Sequence, residues 1–399
     1  MSAQSLKPGW KMVKFGEVVK NANLVERDPE ANGVERIVGL EHIDPENLHV
    51  RRWNAVADGS SFTRKFVPGQ TLFGKRRAYQ RKVAYAEFEG ICSGDILTFE
   101  PKNRKVLLPE LLPFICQSDT FFDHALDTSA GSLSPRTSWT ALKDFEFPLP
   151  PLDEQKRIAE ILWAADAAIE KYLATSNSLQ QLRNSIWENI FRSADTPWST
   201  IDTIARVGNG TTPSRKNNDF WEGGTVPWLS SGKIHDRIIQ SADEYITPAA
   251  LKKAKSSHFP TGSVLVAMIG QGKTRGTAAF LGIDACINQN MAAIVPSEKS
   301  DGKYIFYCLD QMYEKLRNWS HGSNQGALNC GLVAKFQIPL PPTKNRAELG
   351  EISNQIETEI VRAANHVDAL RETLKGISTH FMSVASRSFM AVEKEAAHA

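Results

Sequence analysis

The chain has 399 residues, 41% of them hydrophobic, enough for two domains of ordinary size with packed cores plus connecting helices. Basic and acidic side chains nearly cancel to a net charge of +2, which excludes a polycation but leaves room for positive charge gathered on one face. No apolar run approaches the ~20 residues of a membrane span, the N-terminus lacks the apolar core of a signal peptide, and Cys92, Cys116, Cys286, Cys308 and Cys330 form no C-x-x-C pair and have no His at ligand spacing; the expectation is a cytoplasmic protein with buried free thiols and no metal.

Residues 1–150 read as a first globular unit. Strand-like stretches fall at 10–15, 36–40, 66–74 and 92–99, and a short helix at 107–117. The unit closes on Phe147-Pro148-Leu149-Pro150-Pro151, which stops a strand and forbids a helix until it has passed. A helix follows over 153–191, with Asp153 as N-cap and Asp153 and Glu154 suited to its positive end. Its apolar residues repeat every seven positions, Ile158, Ala165, Tyr172, Leu179 and Ile186 in one row with Leu162, Ile169 and Ile190 in a companion row. That is a coiled-coil seam. Such a helix runs to roughly 60 Å, longer than one core needs, and reads as a spacer over 151–195.

The second unit, 196–342, repeats the order of events. Residues 198–201 open it, 226–229 answer the 36–40 strand, 259–266 answer 66–73, 286–291 answer the Cys92 segment and 304–312 answer the short helix. Ile338-Pro339-Leu340-Pro341-Pro342 stands 191 positions beyond the first proline motif, and Gly131-Ser132 recurs at the same offset as Gly322-Ser323. A second spacer helix, 343–390, carries Leu349, Ile356, Ala363, Leu370 and Ile377 with Ile360, Val367, Leu374 and Phe381. Its cap is Thr343, and Lys344 and Arg346 replace the acidic first turn, so this helix is expected to start less firmly than the first. Residues 391–399, charged and Ala-rich, read as a frayed tail. The fold class is α+β: two similar globular units with unlike loops, separated by two long antiparallel helices.

No catalytic signature appears. The chain lacks G-x-x-x-x-G-K-[ST], H-E-x-x-H and G-x-S-x-G, and the Gly270 to Gly276 stretch lacks the first glycine of a phosphate loop. Basic clusters with amide and aromatic neighbours are the positive finding. Lys75, Arg76, Arg77, Tyr79, Gln80, Arg81 and Lys82 follow a strand at Gly74, and they combine cations for phosphates with planar groups for base edges. The equivalent loop of the second unit holds Gln271, Lys273, Thr274 and Arg275. Ahead of it, the glycine-punctuated stretch 208–218 offers Thr211, Thr212, Ser214, Arg215 and Lys216 to a phosphate backbone; Lys233, Ser323 and Gln325 are weaker candidates of the same kind. A solvated charged loop and a plain connector are the ordinary alternatives for these stretches.

Together the landmarks resemble the specificity subunit of Type I restriction-modification systems. The residues that carry the resemblance are Pro148-Leu149-Pro150-Pro151-Leu152-Asp153-Glu154-Gln155 and Pro339-Leu340-Pro341-Pro342 with the helix after each, the Gly69 to Leu72 and Gly262 to Leu265 strands, the two Gly-Ser pairs and the Gly208 to Ser214 loop. Thr343-Lys344-Asn345-Arg346 departs from a second L-x-E-Q. The resemblance implies a non-catalytic subunit without a cofactor of its own. Two target recognition domains would read a bipartite double-stranded DNA site, and the helices would fix the gap. Two modification (methyltransferase) subunits using S-adenosylmethionine would dock on it, and restriction subunits using ATP and Mg2+ would join them. Rival readings are an enzyme with an unfamiliar site, a coiled-coil adaptor that binds proteins, and a subunit of a methylation-only system.

Overall fold

The structure, a computed structural model, describes residues 6–59, 61–131, 133–253, 258–270, 272–319 and 327–383. Two compact units result: one runs to Tyr172 and resumes at Asn365, and the other is Leu173–Ala364. The fold is mixed helix and sheet, α+β, with a common order of core strands in both, each unit carrying one edge strand that the other lacks.

In the first unit Lys11–Lys14 pairs antiparallel with Glu146–Leu149, Lys11 opposite Leu149. This clips the start of the unit to its proline-led exit. A four-stranded sheet has the order Val19–Asn21, Ile96–Pro101, Thr71–Gly74, Val83–Tyr85, and a five-stranded sheet the order Leu24–Val25, Arg64–Phe66, Gly90–Cys92, Arg36–Val38, Asn54–Ala55. Arg36–Val38 and Gly90–Cys92 run parallel, Val38 opposite Cys92. Helices Leu112–Gln117 and Asp119–Asp127 cover the four-stranded sheet through Phe73, Phe99, Phe121 and Phe122, all fully buried. The short helix expected at 107–117 therefore begins five residues later and is followed by a second. Phe73 stacks on Phe122 at 5.7 Å between ring centres and meets Phe121 edge-on at 5.5 Å, the offset geometries that aromatic quadrupoles favour.

The second unit repeats this register. Trp198–Thr200 pairs with Gln337–Pro339; a five-stranded sheet has the order Ala205–Asn209, Met291–Pro296, Val264–Ala267, Ala278–Leu281, Ile238–Ile239; and a four-stranded sheet the order Glu244–Ile246, Val226–Leu229, Ala285–Ile287, His258–Phe259. Trp228 opposite Cys286, in parallel pairing, answers Val38 opposite Cys92. Gly208 and Asn209, taken from the sequence as loop, are the end of the Ala205–Asn209 strand. Cys92, Cys116, Cys286 and Cys308 are buried and Cys330 is half-buried, all free; burial pushes the Cys92 thiol up to about 12.

The long helices are Leu152–Arg192 and Thr343–Ser383, their starts 191 positions apart; Ser383 is the last described residue. The first has neither Gly nor Pro inside it and stops before Pro197. The second contains Gly350, where a Cβ would stand 2.8 Å from the Tyr304 amide nitrogen; glycine lets the helix approach Asp301–Gln311 that closely. In the first unit Trp10 Nε1 donates to Glu154 Oε2 (2.7 Å), the Trp10 ring meets Phe381, and Tyr172 stacks on His366 with ring centres 4.8 Å apart. In the second unit Arg183 pairs with Glu357 and the Trp187 indole donates to Ser353 Oγ (3.2 Å). Low numbers meet high numbers in each unit, so the helix segments run antiparallel. Leu162, Ile169, Ile356 and Val367 of the expected seam are buried, and Ile158, Tyr172, Leu179, Ile186, Leu349, Ile360, Leu370, Leu374 and Ile377 are half-buried. The heptad reading missed Trp187, which is fully buried while its neighbour Ile186 is not.

The weak start expected for the second helix is corrected by the structure. Arg346 is buried, donates through Nε and Nη2 to both carboxylate oxygens of buried Asp301 (2.9 and 2.8 Å), and gives Nη1 to the Pro341 carbonyl (2.8 Å). At the equivalent position of the first helix Gln155 donates to the Pro150 carbonyl (2.8 Å), donates to Val106 O and accepts from Leu108 N. Asp153, expected as the cap, lies inside the first turn. Both helices are therefore anchored through the side chain that reaches back to the proline motif.

A second anchor in the first unit predicts a pH dependence. His49 Nε2 lies 2.8 Å from Asp166 Oδ2 on the long helix and Nδ1 lies 2.9 Å from Glu87 Oε1, while Arg51 binds Glu170 (2.6 Å). The Asp166 hydrogen bond, opposed by burial, raises the imidazole above its ordinary value of 6.5. A raised folded value means that folding favours the protonated form: the contribution is complete below pH 6.5 and is lost as pH climbs through the folded value. Thermal melting from about pH 6 to 8 should show a fall in midpoint that His49→Gln flattens; identical profiles would contradict the anchor.

Candidate nucleic-acid interface

The basic loop of the first unit lies between Thr71–Gly74 and Val83–Tyr85 and is tied down at several points. Lys75 N donates to Asp95 O (2.9 Å), Thr137 N to Lys75 O (3.0 Å) and Arg77 N to Pro135 O (2.7 Å). Arg76 gives Nε to Ser134 Oγ (2.7 Å) and lies 3.5 Å from Asp95, which also takes Arg136 at 3.1 Å. Arg81 reaches Gln117 O (2.8 Å) and Asp119 (2.7 Å) and lies over the Phe122 ring at 4.6 Å. Lys82 donates to Leu40 O (2.6 Å). Burial, then the Arg64 charge, holds the Lys75 ammonium below the usual lysine range.

The loop thus sorts its own charges. Arg76, Arg81 and Lys82 shape it, while Arg77 and Tyr79 are exposed with no side-chain partner among the described residues, and Gln80 is half-buried beside them. Arg77 and Arg81 both take the left-handed backbone conformation (φ 54°), which costs a non-glycine residue energy and is sustained here by the surrounding hydrogen bonds. A rigid loop presenting one arginine, one tyrosine and one glutamine can offer a planar donor pair to a guanine edge and an amide to an adenine edge.

In the second unit the loop after Asn209 passes so close to the neighbouring strand that a Cβ at Gly210 would collide with the Ile287 carbonyl. Trp228 Nε1 donates to Thr211 O and Trp221 Nε1 to Ser214 O, both at 3.1 Å, so two indoles hold the loop. The Arg215 guanidinium lies over Trp221 at 3.7 Å and over Trp228 at 4.9 Å and forms an ion pair with Glu244 that raises its pKa. Thr212 donates to Gln289 Oε1 (2.6 Å). Thr211, Ser214 and Lys216 are exposed. Lys233 sits between Asp236 (2.8 Å) and Asp243 (2.9 Å), which hold its pKa up, and its side chain is mostly covered. Lys273 is exposed, with its carbonyl accepting from Tyr313 Oη (3.0 Å), and Arg275 is half-buried, its carbonyl accepting from Arg317. Gln271, Ser323 and Gln325 lie outside the described residues, as do Ser132 and Gly322 of the paired landmarks.

Sequence reasoning overlooked the aromatic partners of Arg36 and Arg215. Arg36 lies between Trp53 (4.7 Å) and Phe88 (4.6 Å) in the first unit, as Arg215 lies against Trp221 and Trp228 in the second. The aromatic partners lie 6 to 52 positions from their arginine, so only folding brings them together. Among the described residues no cluster of His, Cys, Asp and Glu is arranged to hold a metal ion, and no helix is long and apolar enough to cross a membrane.

The chain is 24% identical over 216 residues to the EcoR124I/EcoR124II specificity subunit of Escherichia coli, an alignment covering 53% of this chain and 54% of that protein. It is 26% identical over 366 residues to the putative MjaX specificity subunit of Methanocaldococcus jannaschii, covering 84% and 83%. The chain spans about half the length of the first of these relatives. Among solved structures, the Type I restriction-modification S subunit from M. genitalium shares the fold with a TM-score of 0.65 at 12% identity, covering 94% of this chain and 96% of that one. The profile of the Type I restriction modification DNA specificity domain matches twice, over residues 8–181 and 197–373. The two matches take in both globular units and the greater part of both long helices, and the chain belongs to the Type I restriction modification DNA specificity domain family.

Proposed function

We propose that the chain is the non-catalytic, cytoplasmic specificity subunit of a Type I restriction-modification complex, reading a bipartite double-stranded DNA site. Residues 1–150 and 196–342 act as its two target recognition domains; 151–195 and 343–390 act as spacers, although 384–390 and the tail 391–399 lie outside the described residues. Two modification subunits, and restriction subunits where present, bind this scaffold and bring S-adenosylmethionine, ATP and Mg2+. The observation that carries the reading is one core strand order built twice under unlike loops, a rigid Arg77–Tyr79 loop in one copy and an indole-braced Thr211–Lys216 loop in the other. Repeating the scaffold while changing the contact groups suits two dissimilar half-sites. Antiparallel helices of ~60 Å suit a gap on the scale of a helical turn or more of duplex, ~34 Å.

Selection of bound duplexes from a random pool by the full chain tests this. Two short conserved blocks separated by an invariant gap are expected. A single uninterrupted block, or no enrichment over bulk DNA, would contradict the proposal.

A further inference from the structure

Beside the basic loop of the first unit the chain doubles back on itself between Ala130 and Arg136. Ala130 and Arg136 exchange both backbone hydrogen bonds, each 3.0 Å, and Gly131 takes a positive φ of 106° to turn the chain. Leu133 sits at the tip and is 93% exposed. Scattered surface leucines are ordinary, but this one is exposed to an unusual degree on a braced support. Arg76 bonds Ser134 and bridges to Arg136, and Arg77 N bonds Pro135 O, so the hairpin and the basic loop form one continuous body. Asp95 is shared by Arg76 and Arg136, and exposed Arg77 has no carboxylate partner among the described residues. The residues that support the apolar tip therefore carry net positive charge, three arginines against the one carboxylate of Asp95.

We propose that Leu133 is an apolar wedge that inserts between two adjacent base pairs of the bound duplex, next to the base edge offered to Arg77 and with Arg136 on a flanking phosphate. An acidic polymer with an apolar interior that opens at its base steps matches both features: the phosphates meet the positive charge and the stacked bases receive the leucine. A protein partner would match the apolar tip, but the surrounding cations favour the polyanion. The wedge makes sequence count at a step that no hydrogen bond reads, because flexible pyrimidine–purine steps open more readily than stiff ones. This inference rests on the DNA-reading proposal and adds to it a site of distortion.

The probe is a duplex selected by the full chain, carrying 2-aminopurine in turn at each adenine position; its emission rises when stacking is lost. Wild type is expected to brighten one step, within or beside the half-site that responds to Arg77. Leu133→Ala should abolish that signal and weaken binding to the selected duplex roughly tenfold while leaving binding to bulk DNA unchanged. Leu133→Met should restore both. The side chain is solvent-exposed, so neither change removes core packing. If every position stays quenched, or Leu133→Ala brightens the same step as wild type, the wedge is wrong and the tip is left for a protein partner. If wild type selects no duplex, the DNA reading itself falls and takes the wedge with it.

Discussion

Methionine in place of Arg346 is expected to destabilise the unit that contains it by about 3–5 kcal/mol, the cost of leaving a buried carboxylate without its partner. Asp301 is 1% exposed and both of its oxygens accept from the Arg346 guanidinium. The loss should appear in denaturant unfolding of the full chain and, by amide exchange, in Asp301–Gln311 and the first turns of Thr343–Ser383. The double change Asp301→Leu with Arg346→Met should recover most of the loss, because it removes both charges from a low-dielectric site. Loss from the double change equal to that from the single one would show that Arg346 matters for its hydrogen bond to Pro341 O, and not for the ion pair.

Arg77→Ala should cost roughly 1–3 kcal/mol of base discrimination in one half-site and leave the other unchanged. The basis is its exposure on a loop whose Arg76, Arg81 and Lys82 are engaged by Asp95, Gln117, Asp119 and Leu40. Sequence enrichment with the variant should relax at one or two adjacent positions of a single block. Arg81→Ala provides the contrast: it removes the tie to Gln117 O and Asp119, so it should loosen the loop and lower its stability as well as its selectivity. Equal damage to both blocks from Arg77→Ala would contradict the assignment of one reader to each half-site.

Much of the frame is legible in the chain itself. Prolines are barred from helix interiors and tolerated in strands only at sheet edges, where Pro148 and Pro339 lie, so the two proline-led motifs mark the same boundary twice, and the 191-position offset between them recurs in the starts of both long helices. Heptads reveal the seam because burial follows the helical period. Trp187 escaped because a seven-residue count credits the position before it, whereas the packing of a globular unit draws in a neighbouring face of the helix. The Arg346–Asp301 pair escaped because its members are 45 positions apart, and from sequence alone Arg346 looks like an unfavourable charge at a helix start.

The candidate site shows the same division. Charge density pointed to the Lys75–Lys82 loop, but density does not tell a presenting arginine from a bracing one. Arg76 and Arg77 are adjacent in the chain, yet one bonds Ser134 and the other is exposed. Lys233 read as a phosphate ligand and is held between two carboxylates seven positions apart. The tryptophans that brace Ser214 and Thr211 declare themselves only through the fold.

If the paired helices of the proposed specificity subunit hold its two readers a set distance apart, lengthening both helices together will move the half-sites apart. Seven residues inserted after Thr175 and seven after Ala363, three positions from the stacked Tyr172 and His366 respectively, preserve the heptad phase and add about 10 Å to each helix. Duplexes selected by this variant should carry the same two blocks with the gap lengthened by about three base pairs, given ~3.4 Å per step. An unchanged gap, or altered blocks at the original gap, would contradict the account.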